Sequence, residues 1–177
     1  MKTKLLQVLY VVIATALLGN AEPPKPTTKK PTIPAATKQA AHAHKASGCD
    51  PSLWDHVYHK PRLVVVEPCV SVTGTIKHMK SEADGDEHIQ LLLDPSDDAL
   101  LNDLNKTRQK AALVIEPVCQ KAVTQQDAVD ACRDFHSDVD IPTKKKSKVT
   151  VLGSYVLDKE ANHGWMEIHP VTSMTVE

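Results

Sequence analysis

The chain has 177 residues, a formal net charge of −1, only 3% aromatic residues and four cysteines. The charge is unevenly spread: two lysines lie in the first 21 residues and five lysines against Glu22 lie in residues 22–47, which leaves −7 for residues 48–177. An acidic domain behind a basic lead-in argues against nucleic acid as a partner, because that partner requires a positive surface.

Lys2 and Lys4 precede an apolar run from Leu5 to Leu18, and Gly19-Asn20-Ala21 supplies small residues at a cleavage site. The pattern predicts a signal peptide over residues 1–21, cut after Ala21. The run has 14 residues, short of the roughly 20 needed to span a bilayer, and no cysteine follows it to carry a lipid. No other stretch is apolar enough to cross a membrane. The mature chain is therefore expected to be secreted or periplasmic, without a membrane span. Residues 22–47 contain Pro23, Pro24, Pro26, Pro31 and Pro34 among Lys, Thr and Ala, a composition that buries no core and predicts a disordered tether. His42 and His44 near its end are expected in a solvated tail.

The folded domain is expected over residues 48–177. Asp50-Pro51-Ser52 reads as a helix start, with Asp as N-cap and Pro at the first position; Leu53, Trp54 and Val57 give it an apolar face and Pro61 ends it. Arg62–Glu67 reads as strand interrupted by Pro68, and Val70, Val72 and Ile76 then alternate with Ser71, Thr73 and Thr75. Asp84-Gly85-Asp86 is a turn. Ile89, Leu91 and Leu93 mark a second strand, and Ser96 could cap a short helix carrying Leu100, Leu101 and Leu104. Leu113–Ile115 is a third strand. Thr124-Gln125-Gln126-Asp127 resembles a capping box and predicts a helix with Ala128, Val129, Cys132 and Phe135 on one face. Val149, Val151 and Tyr155 mark a fourth strand with a bulge at Gly153, and Met166 and Ile168 mark a fifth.

The order is β-β-β-α-β-β behind a helical preface, that of the OB fold, a five-stranded Greek-key barrel; a β-sandwich is the competing architecture. Cys49, Cys69, Cys119 and Cys132 form an even set in an exported chain, which points to two disulfides. Three pairings are possible, and nearness in sequence favours Cys49 with Cys69 and Cys119 with Cys132. The absence of C-x-x-C spacing speaks against a cysteine zinc site.

Two segments carry the candidate chemistry. In the closing stretch, Met166 and Ile168 are expected to face the core, and His163, Trp165, Glu167 and His169 the opposite, polar outer face. Joined by His88 on the second strand, the imidazoles and carboxylate form a candidate zinc set: His88, His163, Glu167 and His169. Asp84 and Asp86 form a candidate calcium turn. The Asp84-Gly85-Asp86 turn also resembles the calcium turn of staphylococcal-type secreted nucleases, but Arg62, Arg108 and Arg133 do not stand where that family needs phosphate-binding arginines. No Gly-x-Ser-x-Gly, His-Glu-x-x-His or phosphate-loop motif is present.

Val72-Thr73-Gly74-Thr75-Ile76, Glu82-Ala83-Asp84-Gly85-Asp86-Glu87-His88 and His163-Gly164-Trp165-Met166-Glu167-Ile168-His169-Pro170 together resemble a family of uncharacterised exported bacterial proteins, over most of Cys49 to Met174. The resemblance implies a secreted β-barrel domain and carries over no catalytic residue. The function expected is that of a non-catalytic binding module for an extracellular ligand or protein. The alternative is a metal-dependent hydrolase whose His/Glu cluster lies on the barrel surface. The two differ in whether the cluster converges around an open coordination position.

Overall fold

The structure is a computed structural model and describes residues 44–144 and 146–177. The expected signal peptide and most of the expected tether lie outside the described residues. Five strands form one sheet: β1 (Leu63–Ser81), β2 (Glu87–Leu93), β3 (Leu113–Ile115), β4 (Lys148–Asp158) and β5 (Met166–Val176). The order β1-β2-β3-β5-β4 returns on itself, because β1 pairs with both β2 and β4; only β3 with β5 is parallel. Closing the sheet removes its exposed edges. Among the described residues no helix is long and apolar enough to cross a membrane.

Alternation along the strands fills the interior. Val70, Val72 and Ile76 of β1, Ile89 and Leu91 of β2, Leu113 and Ile115 of β3, Val149, Val151 and Tyr155 of β4, and Met166 and Ile168 of β5 form one buried apolar cluster. The interruption expected at Pro68 falls inside one continuous strand, β1. Register shifts between Val65 and Glu67 and between Glu67 and Val70 place the proline at an irregularity, where the ladder does not need its missing N–H. The bulge expected at Gly153 is present, with its extra residues on β5: in the β4–β5 register, Ser154 alone stands opposite His169 and Pro170. Glycine is required there, since a Cβ on Gly153 would sit 2.5 Å from Ile168 Cγ2 and from the Pro170 carbonyl.

Several helical expectations are corrected. The preface is a pair of 3-10 helices, Pro51–His56 and Lys60–Arg62; Asp50 caps the first, its carboxylate accepting the Ser52 amide at 2.9 Å. The helix expected between β3 and β4 shrinks to one 3-10 turn, Gln126–Ala128. Its backbone is spent elsewhere. The amides of Thr124 and Gln125 donate to the Ala83 carbonyl at 2.8 Å each, and the Cys119–Cys132 disulfide ties the loop across 13 residues. The α-helix lies instead between β2 and β3, at Asp103–Arg108, behind a 3-10 helix Pro95–Leu100. Asn102, not Ser96, caps it, accepting the amides of Leu104 and Asn105 at 2.9 Å. Asn105 is fully buried and docks the helix onto β5: its amide group donates to the carbonyls of Ala112 and Met166, and its oxygen accepts the Met166 amide at 2.8 Å.

Both favoured disulfides are present, Cys49–Cys69 and Cys119–Cys132, with no free cysteine. Ordered chain begins before Cys49. The Ala46 amide donates to the Cys69 carbonyl at 3.0 Å and the Ser71 amide to the His44 carbonyl at 3.1 Å, so the last residues of the expected tether lie along β1.

Candidate functional site

The outer face of the sheet around β3, β4 and β5 is covered. Leu53, Val57, Leu63, Val118, Cys119 and Val156 form a second buried apolar cluster, with Trp54, Cys132 and Phe135 against it. Val156 alternates with inward-facing Tyr155, so this cluster lies outside the closed sheet. The cover consists of residues 50–62 and the disulfide loop 117–139, joined where His56 stacks on Phe135 with ring centroids 3.5 Å apart and donates from Nδ1 to the Ala131 carbonyl at 2.8 Å. The 82–86 turn holds the loop as well: the Gly85 carbonyl accepts the amides of Gln120 and Lys121 at 2.7 and 2.9 Å.

Sheet register assembles the polar residues beneath that cover. Ile89 pairs with Ile115, and Ile115 with Ile168. One residue along, on the opposite face, His88, Glu116 and His169 therefore fall in a row across three strands. Glu116 is the hub. Its Oε1 lies 3.0 Å from His88 Nδ1, its Oε2 lies 2.8 Å from His169 Nδ1, and Arg62 Nη2 stands 3.6 Å away. His169 Nδ1 is also 3.6 Å from Glu167 Oε2, and its Nε2 is 3.6 Å from Asp86 Oδ2. Asp158 continues the chain of charge, 3.5 Å from Arg62 Nη1 and 2.5 Å from His163 Nδ1.

The expected exposure of this face is overturned. Glu167 and His169 are 0% exposed, Asp86 3% and Glu116 4%. Met166 and Ile168 do face the core as expected, so both faces of this part of β5 are buried, one by the interior and the other by the cover. The Trp165 indole N–H donates to Glu167 Oε1 at 2.6 Å, and the ring stacks on His163. Gln109 lies 3.4 Å from His88 Nε2 and accepts from Gln90 Nε2 at 3.0 Å, closing the β2 side.

Several polar atoms under the cover lack a hydrogen-bond partner: Asp86 Oδ2, Glu167 Oε2 and both ring nitrogens of His169. His169 Nδ1 is close to Glu116 but off the line of a hydrogen bond. Burial raises the Asp86 carboxyl to about 7 against the pull of His169. Burial and the neighbouring Glu116 raise Glu167 to about 7 as well. For Glu116, burial works in the same direction, but contacts with His169 and His88 outweigh it and hold that carboxyl well below its ordinary range. Burial would lower His169, yet Glu116 and Glu167 beside the ring raise it to about 10. His88 is likewise raised, its bond to Glu116 outweighing burial.

The four residues of the expected zinc set do not meet as one group. The structure divides them among Glu82–His88–Glu116, Asp86–Glu116–His169 and Asp158–His163–Glu167, each with ligand atoms within 4.8 Å of one another. The expected calcium turn separates too. Asp84 Oδ1 accepts the Asp86 amide at 3.2 Å, whereas Asp86 turns inward, its Oδ1 accepting the Cys119 amide at 2.8 Å. Glu116, Arg62 and Asp158 were missed by the sequence reading. Glu116 carried a signal, as a lone carboxylate closing the apolar run Leu113-Val114-Ile115, since such a carboxylate is buried only with partners. The buried carboxylates and imidazole can hold protons or a cation. Comparison with protein-family models, with curated proteins and with solved structures finds no match at any of the three.

Proposed function

We propose that this chain is an exported, non-catalytic binding module built on an OB-like barrel. The strand order and the single parallel β3–β5 pair support the OB reading, and the two disulfides support an oxidising destination outside the cytoplasm. One observation carries the non-catalytic reading: the residues best equipped for chemistry, Asp86, Glu116, Glu167 and His169, are at most 4% exposed. A metal-dependent hydrolase needs an open coordination position that substrate can reach. The module would instead present a rigid outer surface to an extracellular ligand or protein, its cover clamped by Cys119–Cys132 and its N-terminal approach by Cys49–Cys69.

The test has two parts. N-terminal sequencing of the protein recovered from outside the cytoplasm should begin at Glu22. Purified mature protein, assayed against ester, phosphodiester, peptide and glycoside substrates with added zinc, manganese or calcium, should show no turnover. Metal-dependent turnover that disappears in His169→Ala would establish the hydrolase instead.

A further inference from the structure

We infer that Asp86, Glu116 and His169 form a buried structural site for a divalent transition-metal ion, zinc being the best match, between the outer face of the closed sheet and its disulfide-braced cover. Each of the three offers a ligand atom within 4.8 Å of the other two. Neighbouring donors of a tetrahedral zinc site, bonded at about 2.0–2.1 Å, stand about 3.3 Å apart. The 3.6 Å between His169 Nε2 and Asp86 Oδ2 is close to that spacing.

The unpartnered atoms are an independent observation. Asp86 Oδ2 and both His169 ring nitrogens are buried without a hydrogen bond, although buried polar groups in folded proteins nearly always have a partner. A cation between Asp86 Oδ2 and His169 Nε2 accounts for those two atoms. With the metal on Nε2 beside Asp86, Nδ1 keeps the Glu167 carboxylate next to it as an acceptor. An outer carboxylate on a ligating imidazole is a regular part of metal sites. One imidazole and two carboxylates, without sulfur, suit zinc or manganese and not a soft ion. Cys119 and Cys132 also lie near Asp86, but their sulfurs are joined to each other and unavailable as thiolates.

A route inward is also present. Glu116 belongs at the same time to the shallower group with Glu82 and His88, and the His88 side chain is 15% exposed. An ion captured there would need to pass only across Glu116. Because Asp86 holds the Cys119 amide through its other oxygen, occupancy would tie the cover to the sheet. The inference goes beyond the binding-module reading and does not depend on it, since the ion's role is to hold the cover.

The experiment uses the intact mature protein, stripped with chelator and titrated with zinc alone. Calorimetry and elemental analysis should find one zinc per chain, with proton release and a raised melting temperature. Asp86→Asn, chosen because it keeps the shape of the side chain, should lose at least a hundredfold in zinc affinity while keeping the far-UV spectrum and both disulfides; His88→Gln should keep one zinc. Wild-type protein that takes up no zinc overturns the proposal. So does undiminished zinc in folded Asp86→Asn, which would place the ion elsewhere, for instance at His42 and His44. Should the variant fail to fold, zinc-edge X-ray absorption of the wild type decides: a single imidazole among oxygen donors supports the site, and two or more imidazoles, or any sulfur, overturn it.

Discussion

Over residues 166–169 the two faces of β5 bury their side chains equally well and by opposite chemistry. Inward, Met166 and Ile168 join an apolar cluster whose most prominent polar atom, the Tyr155 hydroxyl, donates to the Leu100 carbonyl at 2.6 Å. Outward, Glu167 and His169 are equally inaccessible but lie among Asp86, Glu116 and Arg62. The interior gains from every square ångström removed from water. The outer layer removes charges from water at a cost that only their mutual pairing offsets. Truncation in the interior leaves a cavity, whereas truncation in the outer layer leaves an unbalanced charge.

The largest expected effect therefore belongs to the hub of the charged layer. Glu116→Ala in metal-free protein strands His169, His88 and Arg62 without their shared carboxylate and should cost about 4 kcal/mol in urea unfolding. Ile168→Ala should cost about 3 kcal/mol through a cavity. A Glu116→Ala loss below that of an exposed-site change would mean that the outer charges are solvated and the comparison fails. Opening the cover comes next. Replacing Cys119 and Cys132 together by Ser frees a 13-residue loop and should cost roughly 3 kcal/mol, while the far-UV signal of the sheet persists; loss of that signal would make cover and sheet a single cooperative unit.

Proton linkage separates the two layers without mutation. Asp86 and Glu167 titrate near 7 in the folded protein, above the ordinary carboxylate value near 4. The folded state thus holds their protons after the unfolded chain has released them, and stability falls as pH rises from about 4 to 7. His169, raised to about 10, contributes fully below its ordinary value near 6.5 and loses that contribution as pH rises through 10. Glu116 acts in the opposite sense, its contribution present above the ordinary carboxylate value and lost on acidification. Metal-free protein should accordingly be more stable near pH 5 than near pH 8, and Asp86→Asn should flatten the decline between about 4 and 7. A melting temperature that rises from pH 5 to 8 would contradict this. The smallest effect is expected on the uncovered side of the sheet, where Leu92 is 47% exposed: Leu92→Gln should shift stability by less than about 0.5 kcal/mol.

Much of the sheet is written in the alternation of Val70, Val72, Ile76, Ile89, Leu91, Met166 and Ile168, because side-chain direction in a strand has a period of two and needs no knowledge of partners. The turn at Asp84-Gly85-Asp86 is local in the same sense: Gly85 adopts a φ of +98° that other residues avoid. Sequence spacing also favoured both disulfides, since each joins cysteines 20 or fewer residues apart. The helix expected after Thr124 shows where local signals end. Its apolar face does pack as expected, with Ala128 fully buried and Cys132 and Phe135 against the second cluster. Its backbone nevertheless bonds to Ala83 and is held by a disulfide, so a helical propensity of a few tenths of a kcal/mol per residue is overruled.

By itself, the sequence determined which residues of β5 point the same way; it could not say what would stand opposite them. Glu167 and His169 read as an exposed polar face because alternation reports direction and not cover. Only the tertiary structure brought residues 50–62 and 117–139 over that face, and only the pairing of β3 with both β2 and β5 placed Glu116 between His88 and His169. These contacts join residues that are 28 and 53 positions apart in the chain. The physical reason is that desolvation depends on everything that surrounds a group. A carboxylate or imidazole becomes a high-energy, chemically poised group only when distant segments exclude water from it, and no local pattern encodes that.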